Sequence, residues 1–273
     1  MASLVGREFT SAQLNPIVEE MTEDWLFEIL EEAIAARVIE ELPRSVGQYQ
    51  FTHALIQETL SGEMSTTKKV RLHARIAQAL EELYGDDTAA HAAELARHYS
   101  EAEAMAGSGK LIHYSLLAGE RALGAYAFDD VVAHLGRALT AKEGGTGSHQ
   151  DEPVTDEETA GIVMDLGYAQ AGLNNIDQAS SLFHRAFDYY ASTGNVPKVV
   201  EIAEFGHSYT LIAGTRLLIS RALELVEPDS HDAGRILATY GYLRGTEEGG
   251  VENGLGNAGA GASHKPAGER QST

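Results

Sequence analysis

Residues 166–186 read LGYAQAGLNNIDQASSLFHRA. Gly167 is followed at +12, +16 and +19 by Ala179, Phe183 and Ala186, and Gly119 is followed at the same offsets by Val131, Leu135 and Ala138. Small residues at those places let two helices approach closely, and the larger side chain fills the gap between them. A helix pair is thus written twice, 48 residues apart, and such self-similarity marks a stacked repeat architecture. A weaker third copy places Ala203, Thr215, Ile219 and Ala222 at the same offsets and closes at Pro228. A fourth starts near His231 and stops near Arg244 after one helix, which reads as a truncated or altered C-terminal end.

The Leu166-Gly167, Ala179, Phe183, Ala186 pattern resembles the small-residue and aromatic core of the tetratricopeptide helix pair. The observed spacing exceeds that motif's length of about 34 residues by about 14, which is the length of the polar stretch 143–156, EGGTGSHQDEPVTD. That stretch is expected to be an inter-repeat loop within a repeat region over 110–244. Residues 245–273 hold 8 glycines, no aromatic residue, and only Val251 and Leu255 as larger aliphatics. Such a segment cannot bury enough surface to order itself and is expected to be a flexible Gly-rich tail.

Upstream the texture changes. Leu26, Ile29, Leu30, Ala33 and Ile34 form one apolar stripe of a helix from about Glu23 to Arg37, with Thr22 placed to cap it. Val38–Leu42 and Gln48–Phe51 are short strand-like runs separated by Pro43-Arg44-Ser45-Val46-Gly47, a hairpin signal. Thr52 is placed to cap a helix running to about Leu60. Helices, a hairpin and a further helix make a winged-helix-like module over 1–64. Connecting helices fill 65–109: one opens at Ser65-Thr66 and stops at Gly85, the next covers about Ala89–Ala106, and Gly107-Ser108-Gly109 breaks the chain. The fold class that follows is all-α, with a small winged-helix hairpin at the N-terminus and an α-α superhelical tetratricopeptide-like solenoid after it.

Composition removes several function classes. With 20 Lys+Arg against 41 Asp+Glu, the net charge is −21. A surface this acidic is repelled by phosphate backbones and anionic lipid. Zero cysteines exclude a disulfide scaffold, thiol catalysis and cysteine-ligated zinc. No apolar run approaches a membrane span, and no signal peptide is visible, so a cytoplasmic location is expected.

Leu4-Val5-Gly6-Arg7-Glu8-Phe9, the helix leading into Val38-Ile39-Glu40-Glu41, and Phe51-Thr52-His53-Ala54-Leu55-Ile56-Gln57-Glu58-Thr59-Leu60 together resemble one module. It is the winged-helix segment that follows the ATPase core in bacterial STAND-type, MalT-like signalling regulators. Arg71-Leu72-His73-Ala74-Arg75-Ile76-Ala77 and His91-Ala92-Ala93-Glu94-Leu95-Ala96-Arg97-His98-Tyr99 carry the likeness into the tetratricopeptide arm. The resemblance implies a non-catalytic regulatory arm, with ATP or ADP bound only by a core that this sequence lacks. It also implies that His53, in the first turn of its helix, would face that nucleotide. Ala54 stands where the family often has Asp.

Other constellations weigh less. Gly109-Lys110 is a near miss for a phosphate loop: Ala104 takes the leading glycine position, Leu111 replaces the hydroxyl residue, and no strand precedes it, so an inter-helix loop is expected. Gly254-x-Gly256-x-x-Gly259 follows no strand and is explained by glycine-rich composition. His91, Glu94 and His98 share a helix face at i, i+3 and i+7, but the H-E-x-x-H pattern of helical zinc ligands is absent, so helix packing is expected. Lys68, Lys69, Arg71 and Arg75 form one basic patch with no acid between Ser65 and Ala79. The patch is a candidate contact for a protein partner or the ATPase core. Nucleic acid is disfavoured, because residues 1–64 hold Arg7, Arg37 and Arg44 against twelve acids. Tyr126, Phe128, Tyr168, Tyr189 and Tyr209 are candidates for a repeat surface that binds a partner or small inducer, with repeat core the competing role. The remaining alternatives are a free-standing repeat scaffold or adaptor and, less favoured, a DNA-binding transcriptional regulator.

Overall fold

Residues 1–18, 22–43, 45–144, 153–205 and 214–241 are described by a computed structural model of the chain. They are mostly helical, with one small sheet, and divide into two units, Met1–His149 and Gln150–Thr273.

The first unit opens with α1 (Ala2–Val5), β1 (Glu8–Thr10) and α2 (Ser11–Leu14). Thr10 and Gln13 close a reciprocal capping box that starts α2. A 3₁₀ turn over Asn15–Ile17 follows, then α3 (Glu23–Ala35), β2 (Ile39–Glu41), β3 (Gln48–Phe51) and α4 (Ala54–Gly62). Thr22 caps α3 as expected. The expected stripe holds at Leu26 and Leu30, which are buried, whereas Ile29 faces water. The hairpin forms, and β1 adds a third antiparallel strand in the order β1-β3-β2, with Phe9 opposite Tyr49 and Ile39 opposite Phe51. Those four side chains are the buried face of the sheet, and Phe9 packs at 5.8 Å from Tyr49 and 5.7 Å from Phe51. The turn residue Arg44 lies outside the described residues, as does the acidic pair Glu19-Glu20.

The helices that follow are α5 (Thr66–Tyr84), a 3₁₀ segment over Gly85–His91, α6 (Ala92–Glu101), α7 (Glu103–Ala106), α8 (Ser108–Gly124) and α9 (Phe128–Lys142). Ser65 caps α5, and Gly85 ends it at φ 51°, a left-handed value that glycine adopts without strain. The single helix expected over Ala89–Ala106 is instead broken at Ala102, at φ −102° and ψ 2°, and preceded by the 3₁₀ segment. No glycine or proline marks that break, so local propensity gave no warning of it. Of the expected breaker Gly107-Ser108-Gly109, only Gly107 lies outside helix, at φ 74°; Ser108 and Gly109 already belong to α8.

One core runs from α1 to α8. It joins Leu4, Phe9, Ile17 and Leu30 to Leu72, Ile76, Leu80, Leu95, Leu111 and Tyr114 without a gap at residue 64 or 109. Each such side chain contributes about 1.5–3 kcal/mol on leaving water.

The α8–α9 pair shows why position 119 is glycine. A Cβ there would lie inside contact distance of Leu135. The second unit repeats the device in α10 (Glu157–Gly172) and α11 (Ile176–Ser192), where a Cβ on Gly167 would sit 2.9 Å from the Phe183 ring. Asp156 caps α10, so the expected 143–156 stretch does separate two helices; its residues 145–152 lie outside the described ones. Tyr126 and Asn174, each seven residues past its repeat glycine, both take left-handed backbone at φ 56° and 63°. α12 (Val196–Phe205), α13 (Thr215–Leu225) and a helix over 231–241 complete the unit, with Ala203, Thr215, Ile219 and Ala222 all buried. The end of the expected fourth copy, from 242, and the Gly-rich tail lie outside the described residues.

Candidate functional site

His53 sits one place earlier than expected. It is the N-cap of α4 rather than a first-turn residue, in extended backbone, exposed, and without a side-chain capping bond. Thr52, expected to be the cap, turns its hydroxyl the other way and donates to the carbonyls of Arg37 (2.8 Å) and Val38 (3.2 Å), which ties α4 to the strand pair. α4 itself buries no side chain fully, and Leu55 is 71% exposed.

The basic patch is only partly free. Lys68, Arg71 and Arg75 are exposed at i, i+3 and i+7 of α5, while Lys69 is half-buried. Arg75 Nη2 donates to the Ile17 carbonyl at 2.9 Å, so this guanidinium already clasps the N-terminal elements. No hydrogen bond or ion pair among the described residues joins His53 to the patch.

The three residues on one face of the 89–106 segment part company. His91 stacks on Tyr84, with centroids 3.7 Å apart. Glu94 accepts from the Tyr84 hydroxyl at 2.7 Å and from Gln13 Nε2 at 3.2 Å. Burial and the Glu94 hydrogen bond raise the Tyr84 phenol to about 12. His98 is fully buried and meets His73 instead. Among the described residues no group of three His, Asp or Glu side chains converges on a point that could hold a metal.

The meeting of His73 and His98 is the most constrained polar arrangement in the first unit. Their Nδ1 atoms are 2.9 Å apart, and Arg97 Nη2 lies 2.7 Å from His98 Nε2. A guanidinium only donates, so His98 Nε2 accepts and the ring carries its proton on Nδ1. That proton is donated to His73 Nδ1, which leaves the His73 proton on Nε2. Burial first, then the Arg97 charge and His73, hold His98 down at about 3. Burial also lowers His73, with Glu101 opposing and Arg97 and Lys69 assisting. Both rings are therefore neutral near pH 7. The same Arg97 donates to the carbonyls of Leu4 (3.3 Å) and Val5 (2.5 Å), which cap the C-terminal end of α1. Gln57 adds a bond to the Ser3 carbonyl at 3.0 Å. The sequence did signal this: His73 stands three residues before Ile76, and His98 three after Leu95, on stripes that are buried.

A second hub is Glu81, half-buried, which accepts from Tyr99 (2.5 Å), Tyr114 and Lys110 (2.6 Å). Burial pushes this carboxyl up, but those three donors outweigh it and hold it below its ordinary value. Lys110, the lysine of the phosphate-loop near miss, is thus committed to Glu81. Gly254-x-Gly256-x-x-Gly259 lies outside the described residues.

Of the aromatic candidates, Tyr126 is 79% exposed. Tyr168 packs between Phe183 (5.3 Å) and Phe205 (4.4 Å) and donates to Glu201, which is repeat core. Phe128 and Tyr189 are half-buried, and Tyr209 lies outside the described residues. No helix among the described residues is long and apolar enough to cross a membrane. No protein-family model, curated protein or solved structure matches the chain.

Proposed function

We propose that this chain is a non-catalytic regulatory and protein-interaction arm of a STAND-type signalling ATPase. In this reading, residues 1–64 form a winged-helix-like module that docks on a nucleotide-binding core. The helix pairs over 110–244 form a tetratricopeptide-like superhelix that senses a partner or inducer and shifts the docking equilibrium. The observation that carries the reading is α4: it follows His53, buries none of its own residues fully, and turns Leu55 to water. A nine-residue helix is marginal by itself, so a face this bare is suited to being covered. His53, exposed at its start, would then reach toward the nucleotide of the core.

The repeated glycine contacts at Gly119 and Gly167 also suit a second reading, a free-standing scaffold with no nucleotide dependence. Mixing the chain with a separately expressed STAND-type core in ADP decides between them. Co-elution on size exclusion, lost in Leu55→Asp, is the outcome expected of the arm. Absence of a complex at tens of micromolar removes that reading and leaves the scaffold.

A further inference from the structure

We propose that the outward side of α3 is a docking surface for a basic amphipathic helix of a partner protein. The proposal deepens the interaction-arm reading, and rests on it, by naming the chemistry that the N-terminal module recognises. Trp25, the only tryptophan in the chain, is 43% exposed, and Ile29, one turn further on, is 38% exposed. Phe27, on the opposite margin, is 40% exposed. The inward side of the helix is already used by Leu26 and Leu30, so these three are surplus to the core.

Between the two apolar margins stand Asp24, Glu28, Glu31 and Glu32, all exposed. At 3.6 residues per turn, Glu28 and Glu32 form the row beside Trp25 and Ile29. α3 contains no Lys or Arg, and none of these four carboxylates is in an ion pair among the described residues. Charge complementarity selects the occupant. Anionic lipid and nucleic acid are repelled, and a second copy of this chain would set acid against acid. A cationic helix with one apolar stripe lays that stripe on Trp25 and Ile29 and sets its Lys or Arg rows over Glu28 and Glu32. Exposed tryptophan is also the residue type most often found at the energetic centre of an interface.

Trp25 supplies its own readout. The full chain is titrated with a Leu/Lys amphipathic helix of about 18 residues at about 50 mM salt, and with a scrambled peptide of the same composition. The expected result is a saturable blue shift of Trp25 emission at roughly micromolar peptide, with the scramble at least about tenfold weaker. Glu28→Lys/Glu32→Lys should weaken binding by about tenfold or more, while Glu224→Lys/Glu227→Lys, which reverses two exposed charges in the second unit, leaves it unchanged. No shift, an equal response to the scramble, or equal weakening by both charge reversals overturns the proposal. A peptide that fails while the core complex forms overturns this face alone. A core complex that fails while the peptide binds overturns the regulatory-arm reading and leaves the face standing.

Discussion

With Arg97 donating to His98 Nε2, the hydrogen bond from His98 Nδ1 to His73 Nδ1 holds only while both rings are neutral. His73 and His98 have folded-state values below the ordinary 6.5, so the unfolded chain takes up more protons as the pH falls. Their contribution to stability is fully present above about pH 6.5 and is lost below it, at about 1.4 kcal/mol per pH unit for each histidine that must give up its proton to fold. Urea midpoints measured between pH 7 and 5.5 should therefore fall, before most carboxylates begin to titrate. His73→Gln keeps an acceptor for the His98 N–H and should flatten that slope; a slope unchanged by this variant removes the pair as its source. The sequence reading grouped His98 with His91 and Glu94 and gave His73 no role, and it could not pair the two histidines, because the contact spans 25 residues and two helices. The error at His53 was of the opposite kind. Thr52 has a good capping side chain, but the Arg37 and Val38 carbonyls, just before β2, compete for its hydroxyl and win, which moves the helix start by one residue.

Among the elements, the helix pairs were the most legible because their spacing is enforced by contact. Gly119→Ala places a methyl group against Leu135, an overpacking cost of about 1–3 kcal/mol that exceeds the gain of about 1 kcal/mol from better helix propensity. Gly136 in α9 has nothing within 4 Å of its would-be Cβ, so Gly136→Ala should stabilise by up to about 1 kcal/mol. Thermal melts of the two variants should move in opposite directions, by about 2–4 °C per kcal/mol; equal shifts would mean that the close approach does not matter. The third strand was illegible for a related reason. Glu8-Phe9-Thr10 offers one apolar residue to the core, and three residues show no period. The break at Ala102 was equally silent, since it lies in an alanine-rich run that every local preference would keep helical.

For the whole molecule, the division falls at 149/150 rather than where the texture of the sequence changes. The sequence reading set boundaries at 64 and 109, between a winged-helix-like module, connecting helices and repeats, whereas Ile76, Leu80 and Leu95 fill the same core as Phe9 and Leu30. Binary patterning reports which residues go inside, not which elements share an inside. Residues 1–149 expressed alone should fold cooperatively with helical circular dichroism, whereas a cut at 64 exposes half of one core and should yield no sharp transition. Cooperative unfolding of 1–64 alone would reverse that assignment. The grip of Arg97 on α1 also has a history in time. That guanidinium lies 92 residues downstream of the Val5 carbonyl it caps. A ribosome adding about 5–20 residues per second delivers it about 5–20 s after that carbonyl is made. During synthesis the opening turn therefore waits with a bare end, available to whatever greets nascent chains, and is sealed only once α6 has been made.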